Sequence, residues 1–171
     1  MLNRILIVFV VIFNNLILSN VLSNDQLNFD ITQIEIQDNG NKIIGSKRGT
    51  ITSNDGITIT ANKFEYDKNR NLLAAEGNVE VKNKFENYDI FSDDILYFKN
   101  KEIITTNGKT KIFFQSKYEV ETSNLNFLKD NLLLSSNKKT SIIDNINNTF
   151  YSLKEFSFSF KSEILKGKGI L

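Results

Sequence analysis

The sequence predicts an all-β protein built from stacked repeats. Three observations carry this reading. Apolar and polar residues alternate through most of the chain after residue 24. The alternating blocks recur at a spacing of about 30 residues. No proline interrupts a ladder anywhere in the 171 residues. No stretch after residue 24 shows the 3.6-residue period of an amphipathic helix. The helix-friendly "NRNLLAAEGN" is short and ends at a glycine.

The clearest copy is "ITITANKFEYDKNRNLLAAEGNVEV", Ile57 to Val81. Laid over it, "YDIFSDDILYFKNKEIITTNGKTKI" (Tyr88 to Ile112) and "YEVETSNLNFLKDNLLLSSNKKTSI" (Tyr118 to Ile142) agree in kind at each place. Tyr66, Tyr97 and Phe127 coincide, as do Leu72, Ile103 and Leu133. Gly77 meets Gly108, and Val81 meets Ile112 and Ile142. Partial copies flank these three. Upstream, "FDITQIEIQDNGNKIIGSKRGTI" places Gly49 in the role of Gly77; downstream, "FYSLKEFSFSFKSEILKGKGIL" supplies Gly169. About five repeats therefore cover the chain from residue 27 to its end.

Each copy reads as two antiparallel strands around a short polar turn, giving ten or so strands. On the outgoing strand Ile57, Ile59 and Ala61 share one parity, whereas Phe64 and Tyr66 take the other. The same switch recurs between Ser92 and Ile95 and between Thr122 and Leu125. A slip of one residue turns a strand over. Its repetition at one place predicts a bulge or corner between two facing sheets. The return strand alternates without a break through Leu73, Ala75, Gly77, Val79 and Val81.

The first residues read differently. Arg4 precedes the apolar run Ile5 to Phe13, Leu16 to Leu18 extends it, and Val21 and Ser23 suit the −3 and −1 positions of a cleavage site. Residues 1–23 are expected to be a secretory signal peptide and 24–171 one β domain. The rival is a retained membrane anchor, against which the Asn14-Asn15 break counts. Removing Arg4 from 21 basic residues leaves 20 against 20 acidic ones, a neutral chain with no basic excess for nucleic acid.

Composition narrows the chemistry. Without Cys there is no disulfide, thiolate site or Cys nucleophile, and without His the commonest base and zinc ligand is gone. Asp93-Asp94 and Glu119 with Glu121 are the nearest approach to paired carboxylates, and the bland reading is that they sit on exposed strand faces. We expect no enzyme, no cofactor and no metal. Small residues at mid-strand (Ala75, Gly77, Thr106, Gly108, Thr110, Ser136, Thr140) can leave an apolar groove between the sheets. Such a groove suits alkyl chains, at about 0.8 kcal/mol per buried methylene. The competing reading is that they pack tightly or face solvent. The end of the chain, "KGKGIL", carries no evident cap, so that edge either pairs with another chain or the chain is cut short.

At this level of detail the first copy resembles a known signature. Ile59-Thr60-Ala61-Asn62, Tyr66-Asp67, Leu73, Ala75 and Gly77-Asn78-Val79-Glu80-Val81 are similar to the I-T-A-D-x-x-x-Y-D … L-x-A-x-G-N-V-x-V repeat of the OstA-like family of periplasmic lipopolysaccharide-transport proteins, with Asn62 for Asp. The second copy keeps Ser92-Asp93, Tyr97 and Gly108; the third keeps Phe127 and the apolar places. The family comprises LptA, LptC and the N-terminal periplasmic domain of LptD. The resemblance implies a β-jellyroll, a V-shaped stack of antiparallel strands that holds lipid A acyl chains inside the V without chemistry. It implies lipopolysaccharide as ligand, and other Lpt jellyrolls as partners, joined by β-strand augmentation into a bridge to the outer membrane. The drift of the third copy and the ending within a repeat favour an LptD-type N-terminal domain; the length and leader suit LptA next.

On this reading the acyl-contacting residues of the first full copy are Ile59, Phe64, Tyr66, Leu73, Ala75, Val79 and Val81. Ile95, Tyr97, Ile104 and Ile112 continue the groove in the second copy, and Leu125 and Phe127 in the third. Phe156, Phe158 and Phe160 share one face and are expected to floor the groove near its C-terminal end. The alternative function is a structural β-stack of the envelope with a filled core and no lipid.

Overall fold

In the computed structural model, residues 27–170 are described. The expected signal peptide and its cleavage site lie outside the described residues. Twelve antiparallel strands form one continuous sheet. In chain order they are β1 (Leu27–Gln37), β2 (Lys42–Ser53), β3 (Ile57–Asp67), β4 (Leu72–Asn83), β5 (Tyr88–Phe98), β6 (Ile103–Phe114), β7 (Tyr118–Ser123), β8 (Asn126–Leu128), β9 (Leu133–Ser136), β10 (Thr140–Asp144), β11 (Thr149–Ser159) and β12 (Ile164–Ile170). No α-helix occurs among the described residues.

The topology is a meander. Each strand from β1 to β6 pairs with the next. Beyond β6 the strands are interrupted: β7 and β8 both pair with β6, and β10 and β9 both pair with β11. Each interrupted pair occupies the place of one long strand. The twelve segments are thus ten strand positions, most of them eleven or twelve residues long. The expected two sheets are two limbs of one sheet, and the strands run unbroken through both.

A bulge line bends the sheet. In the β3–β4 ladder Thr60 faces Glu80, but Lys63 faces Glu76, so β4 carries one residue more than β3. The same slip falls between Ser46 and Gly49 of β2, Glu76 and Val79 of β4, and Ser92 and Asp94 of β5. The extra residue sits on the return strands β2, β4 and β6. This explains the sequence pattern: the return strand keeps its parity through four residues while its neighbour flips parity over three. The bulge takes positive φ at Gly77 (75°), Asn78 (51°) and Gly108 (86°). In β2 the positive φ, 77°, belongs to Lys47. Gly49 therefore does not stand in the role of Gly77. It is small because a Cβ there would lie 2.8 Å from the Asp30 carbonyl and the Ile31 side chain.

The bend folds one face of the sheet onto itself. The first limb holds residues 57–61, 79–83 and 88–92 with β7 and β10; the second holds 63–67, 72–76 and 94–98 with β8 and β9. Rings from opposite limbs meet across the interior. Tyr88 stands edge-on to Phe127 at 5.0 Å, Tyr118 edge-on to Phe158 at 4.8 Å, and Phe114 stacks on Phe160 at 3.6 Å. These residues are not ladder neighbours, so only facing limbs bring them together.

The turns carry the repeat too. Asn71, Glu102, Leu132 and Glu163 each close a second-limb turn with φ between 46° and 54°. Successive turns on that side are hydrogen-bonded: Lys68 N donates to Asn41 O, Lys99 N to Asn71 O, Lys129 N to Glu102 O and Phe160 N to Leu132 O, all within 3.0 Å. Backbone groups that would face water at the end of each hairpin are satisfied by the next repeat.

Candidate functional site: the interior of the bent sheet

All sixteen residues expected to line the groove fall in one apolar cluster. None is more than 8% exposed. The alternation read from sequence thus assigns the inward face correctly on β3 to β6, β8 and β11. Phe156 and Phe158 lie on the second-limb half of β11, and Phe160 begins the turn after it, so the three rings do share a face.

The small residues sit at the vertex, where the limbs converge. Ala61 and Ala75 fill it near the N-terminal end and are fully buried. Further along, hydroxyls replace them. Thr110 Oγ1 lies 3.1 Å from Ser92 Oγ and 2.7 Å from Thr106 Oγ1, and Thr106 Oγ1 accepts from Leu125 N at 2.9 Å. Thr140 donates to Thr122 at 2.9 Å, and Thr122 donates to Ser136 at 3.2 Å. Thr110, Thr122 and Thr140 are buried against one another's hydroxyls or those of their neighbours at mid-strand. Their smallness is what lets the two limbs meet, and their hydroxyls satisfy one another where water does not reach.

The mouth lies opposite the vertex, between the turns of the two limbs. Lys129, in the turn after β8, has a side chain only 9% exposed. It donates to Asp55 Oδ2 at 2.6 Å, to Glu102 Oε2, and to the Tyr97 hydroxyl at 3.1 Å. Asp55 belongs to the β2–β3 turn of the first limb, whereas Lys129 and Glu102 belong to the second, so the ion pair spans the mouth. Burial works to raise the Asp55 pKa, but hydrogen bonds from Lys129 and Ser53 prevail and hold it below the ordinary carboxylate value. A second pair, Lys117 to Glu163 at 2.6 Å, crosses the mouth near the C-terminal end. Between the turns lies a cavity of about 320 Å³, lined by Asp55, Tyr88, Glu102, Lys129, Leu132 and Lys161 among others. Tyr88 Oη is buried nearby, and burial pushes its pKa up.

Sequence reasoning missed this cluster, because Asp55 and Lys129 are far apart in the chain and neither belongs to a local pattern. One signal was present. Tyr66 Oη donates to Asn71 Oδ1 at 3.1 Å, and Tyr97 Oη reaches Glu102 at 3.2 Å, one repeat later. In the third copy both partners turn apolar together, as Phe127 and Leu132. The acidic pairs are held in the fold: Asp93 accepts from Lys109 N at 3.0 Å, Asp94 accepts from Gly77 N at 3.4 Å, and Glu119 and Glu121 both pair with Lys111. Among the described residues no group of acids is arranged to hold a metal ion.

Among the described residues the interior is uncovered at both ends. Ile34 and Ile36 lie on the inward face of β1, in register with Gly45 and Ile43, yet are 42% and 66% exposed. Tyr151 faces inward opposite Ile142 and is 38% exposed, because β12 reaches only as far as Leu153 along β11.

No family model matches the chain, and no curated relative matches it. Among solved structures it is similar to LptH of Pseudomonas aeruginosa, described as the LptA-homologous periplasmic component of the lipopolysaccharide transport device. The TM-score is 0.53 at 12% identity, over 77% of this chain and 84% of LptH. The architecture is therefore that of the LptA-type jellyroll, the fold the repeat signature implies.

Proposed function

We propose that this chain is a member of the OstA-like lipopolysaccharide-transport family and acts as a periplasmic segment of a lipopolysaccharide bridge. The observation that carries the reading is the continuous apolar interior, buried along its length and, among the described residues, uncovered at both ends. Ile34 and Ile36 at one end and Tyr151 at the other extend the apolar stripe to the edges of the sheet. A neighbouring jellyroll that adds a strand to β1 or β12 covers these residues and continues the interior from one molecule into the next. The ligand we propose is the lipid A part of lipopolysaccharide, with its acyl chains between the limbs and its headgroup outside the mouth.

The chain does no chemistry on its ligand: neither His nor Cys is present, and the adjacent acids Asp93, Asp94, Glu119 and Glu121 are engaged in structural bonds. Within the family we favour an LptD-type N-terminal domain associated with the outer membrane, and an LptA-type bridge protein next. The departure of the third copy from the signature has a physical counterpart, since that copy is where the strands break at the corner into β7 with β8 and β9 with β10. A secretory leader over residues 1–23 completes the proposal.

The second reading, a structural stack without lipid, draws on how fully the interior is filled. Purified mature protein separates the two. Lipid A is expected to co-elute with it on gel filtration, and the same disaccharide stripped of its acyl chains is not. Failure of lipid A to bind favours the filled scaffold.

A further inference from the structure

We infer that the ion pairs across the mouth are a latch, and that the limbs must part there for a long-chain amphiphile to enter from the side. The inference rests on the proposed ligand for its purpose, but its structural part stands alone. Three observations carry it. First, solvent does not reach the interior between its ends: Leu73, Val81, Ile90, Tyr97, Ile104 and Val120 are each fully buried. An acyl chain has no lateral way in while the limbs touch. Second, the vertex cannot act as the opening, because it is a continuous hydrogen-bonded ladder with bulge and hydroxyl bonds throughout. The mouth has no ladder. Among the described residues side chains join it, among them Lys129 to Asp55, Lys117 to Glu163, and the ring stacks behind them. Third, the principal latch is unbalanced. Lys129 is one cation between two carboxylates, Asp55 and Glu102, so its loss leaves two acids facing each other across the gap. The N-terminal part of the latch is thus centred on one ammonium, mostly buried and 5.1 Å over the Tyr97 ring.

The ion-pair part of such a latch is reversible at low cost, and the larger cost of opening is the separation of the rings behind it. Opening replaces ion pairs with hydration, so their part of the cost need not be large. An entering lipid then compensates for the separated rings with its own apolar surface.

The chain has no cysteine, so introduced thiols are unique. Opening is read from a reporter, Val120→Cys, whose thiol lies inside the closed interior. In the full mature protein the double change Lys129→Met with Glu163→Gln is expected to raise the labelling rate of that thiol by tenfold or more. Circular dichroism and the urea midpoint check that the variant is folded. A variant that unfolds is replaced by the milder Lys117→Gln with Glu163→Gln, expected to raise labelling severalfold. Unchanged labelling in folded variants overturns the latch, whatever the ligand.

Entry is read separately. Lys117→Cys and Glu163→Cys, joined by a cleavable bis-maleimide, hold the mouth shut. Uptake of fluorescent lipid A from detergent micelles is expected to slow at least tenfold when cross-linked and to recover on cleavage. Uptake at the uncross-linked rate overturns lateral entry. If the uncross-linked protein takes up no lipid A, the proposed function fails, while the thiol labelling still decides the latch.

Discussion

Thr110→Val is the sharpest probe of the vertex. The substitution keeps the shape of the side chain and removes its hydroxyl. Thr110 is 1% exposed, and its Oγ1 contacts Ser92 Oγ at 3.1 Å, Thr106 Oγ1 at 2.7 Å and Gly108 O at 3.2 Å. Ser92 is left with other acceptors, the carbonyls of Asp94 at 3.1 Å and Asn107 at 3.3 Å. Thr106 keeps the bond from Leu125 N but loses the partner of its own hydroxyl. One lost bond contributes about 1 kcal/mol, and a polar group orphaned in a dry site costs about 1–3 kcal/mol. Allowing for the gained methyl, the expected loss is about 2 kcal/mol. For a domain of this size that lowers Tm by roughly 4–8 °C. Urea denaturation and calorimetry measure it, with Thr105→Val on the outward face of the same strand as control, expected within about 0.5 kcal/mol. If Thr110→Val changes stability no more than the control, water reaches the vertex, and the argument that these small residues close it is wrong.

Three other expectations follow from the same geometry. Phe127→Ala removes a ring that is 1% exposed and stands edge-on to Tyr88 at 5.0 Å, and should cost about 3–5 kcal/mol in a urea melt. Lys47→Gly, at an exposed bulge position with φ 77°, should stabilise by about 1 kcal/mol, the relief of a left-handed conformation less the entropy of glycine. A lower midpoint instead would show that the Lys47 side chain does more than occupy the bulge. The third concerns pH. The Asp55 carboxyl titrates lower in the folded chain than its unfolded value of 3.8. Its contribution is therefore complete above that value and disappears as pH falls through the folded pKa. The labelling rate of a Val120→Cys thiol, quenched at matched times and corrected for thiolate fraction, should be flat above about pH 5 and rise below about pH 4. In Asp55→Asn that rise should be absent or much reduced.

The fold was legible wherever it rests on local alternation. The face of each strand, the switch between Ala61 and Phe64, and the unbroken return from Leu73 to Val81 are all consequences of period two, which depends only on neighbours along the chain. The corner was legible as a place but not as a mechanism. Sequence shows the parity switch on the outgoing strand, whereas the extra residue sits on the return strand, where Gly77 and Asn78 share it. In β2 the signal misled, because a glycine two residues past the bulge looked like Gly77 while Lys47 took the strained conformation. The role of the small residues was also ambiguous. Ala75 and Thr110 read equally well as room for a ligand or as the line where two limbs meet, and only the facing limb distinguishes these. The mouth was illegible. Lys129 has its partner Asp55 in a turn two repeats earlier, and a charge in a polar turn gives no sign of what stands across from it.

On the proposed function, the inward face of the bent sheet receives acyl chains and the outward face does not. A photo-activated residue at Val79 or Tyr97, both inward, and at Glu80 or Leu96, their outward neighbours, tests this in Gram-negative cells making lipopolysaccharide. Lipopolysaccharide adducts are expected from Val79 and Tyr97, and none above background from Glu80 and Leu96. Adducts equal on both faces, or absent from the inward pair while the protein is folded and exported, contradict it.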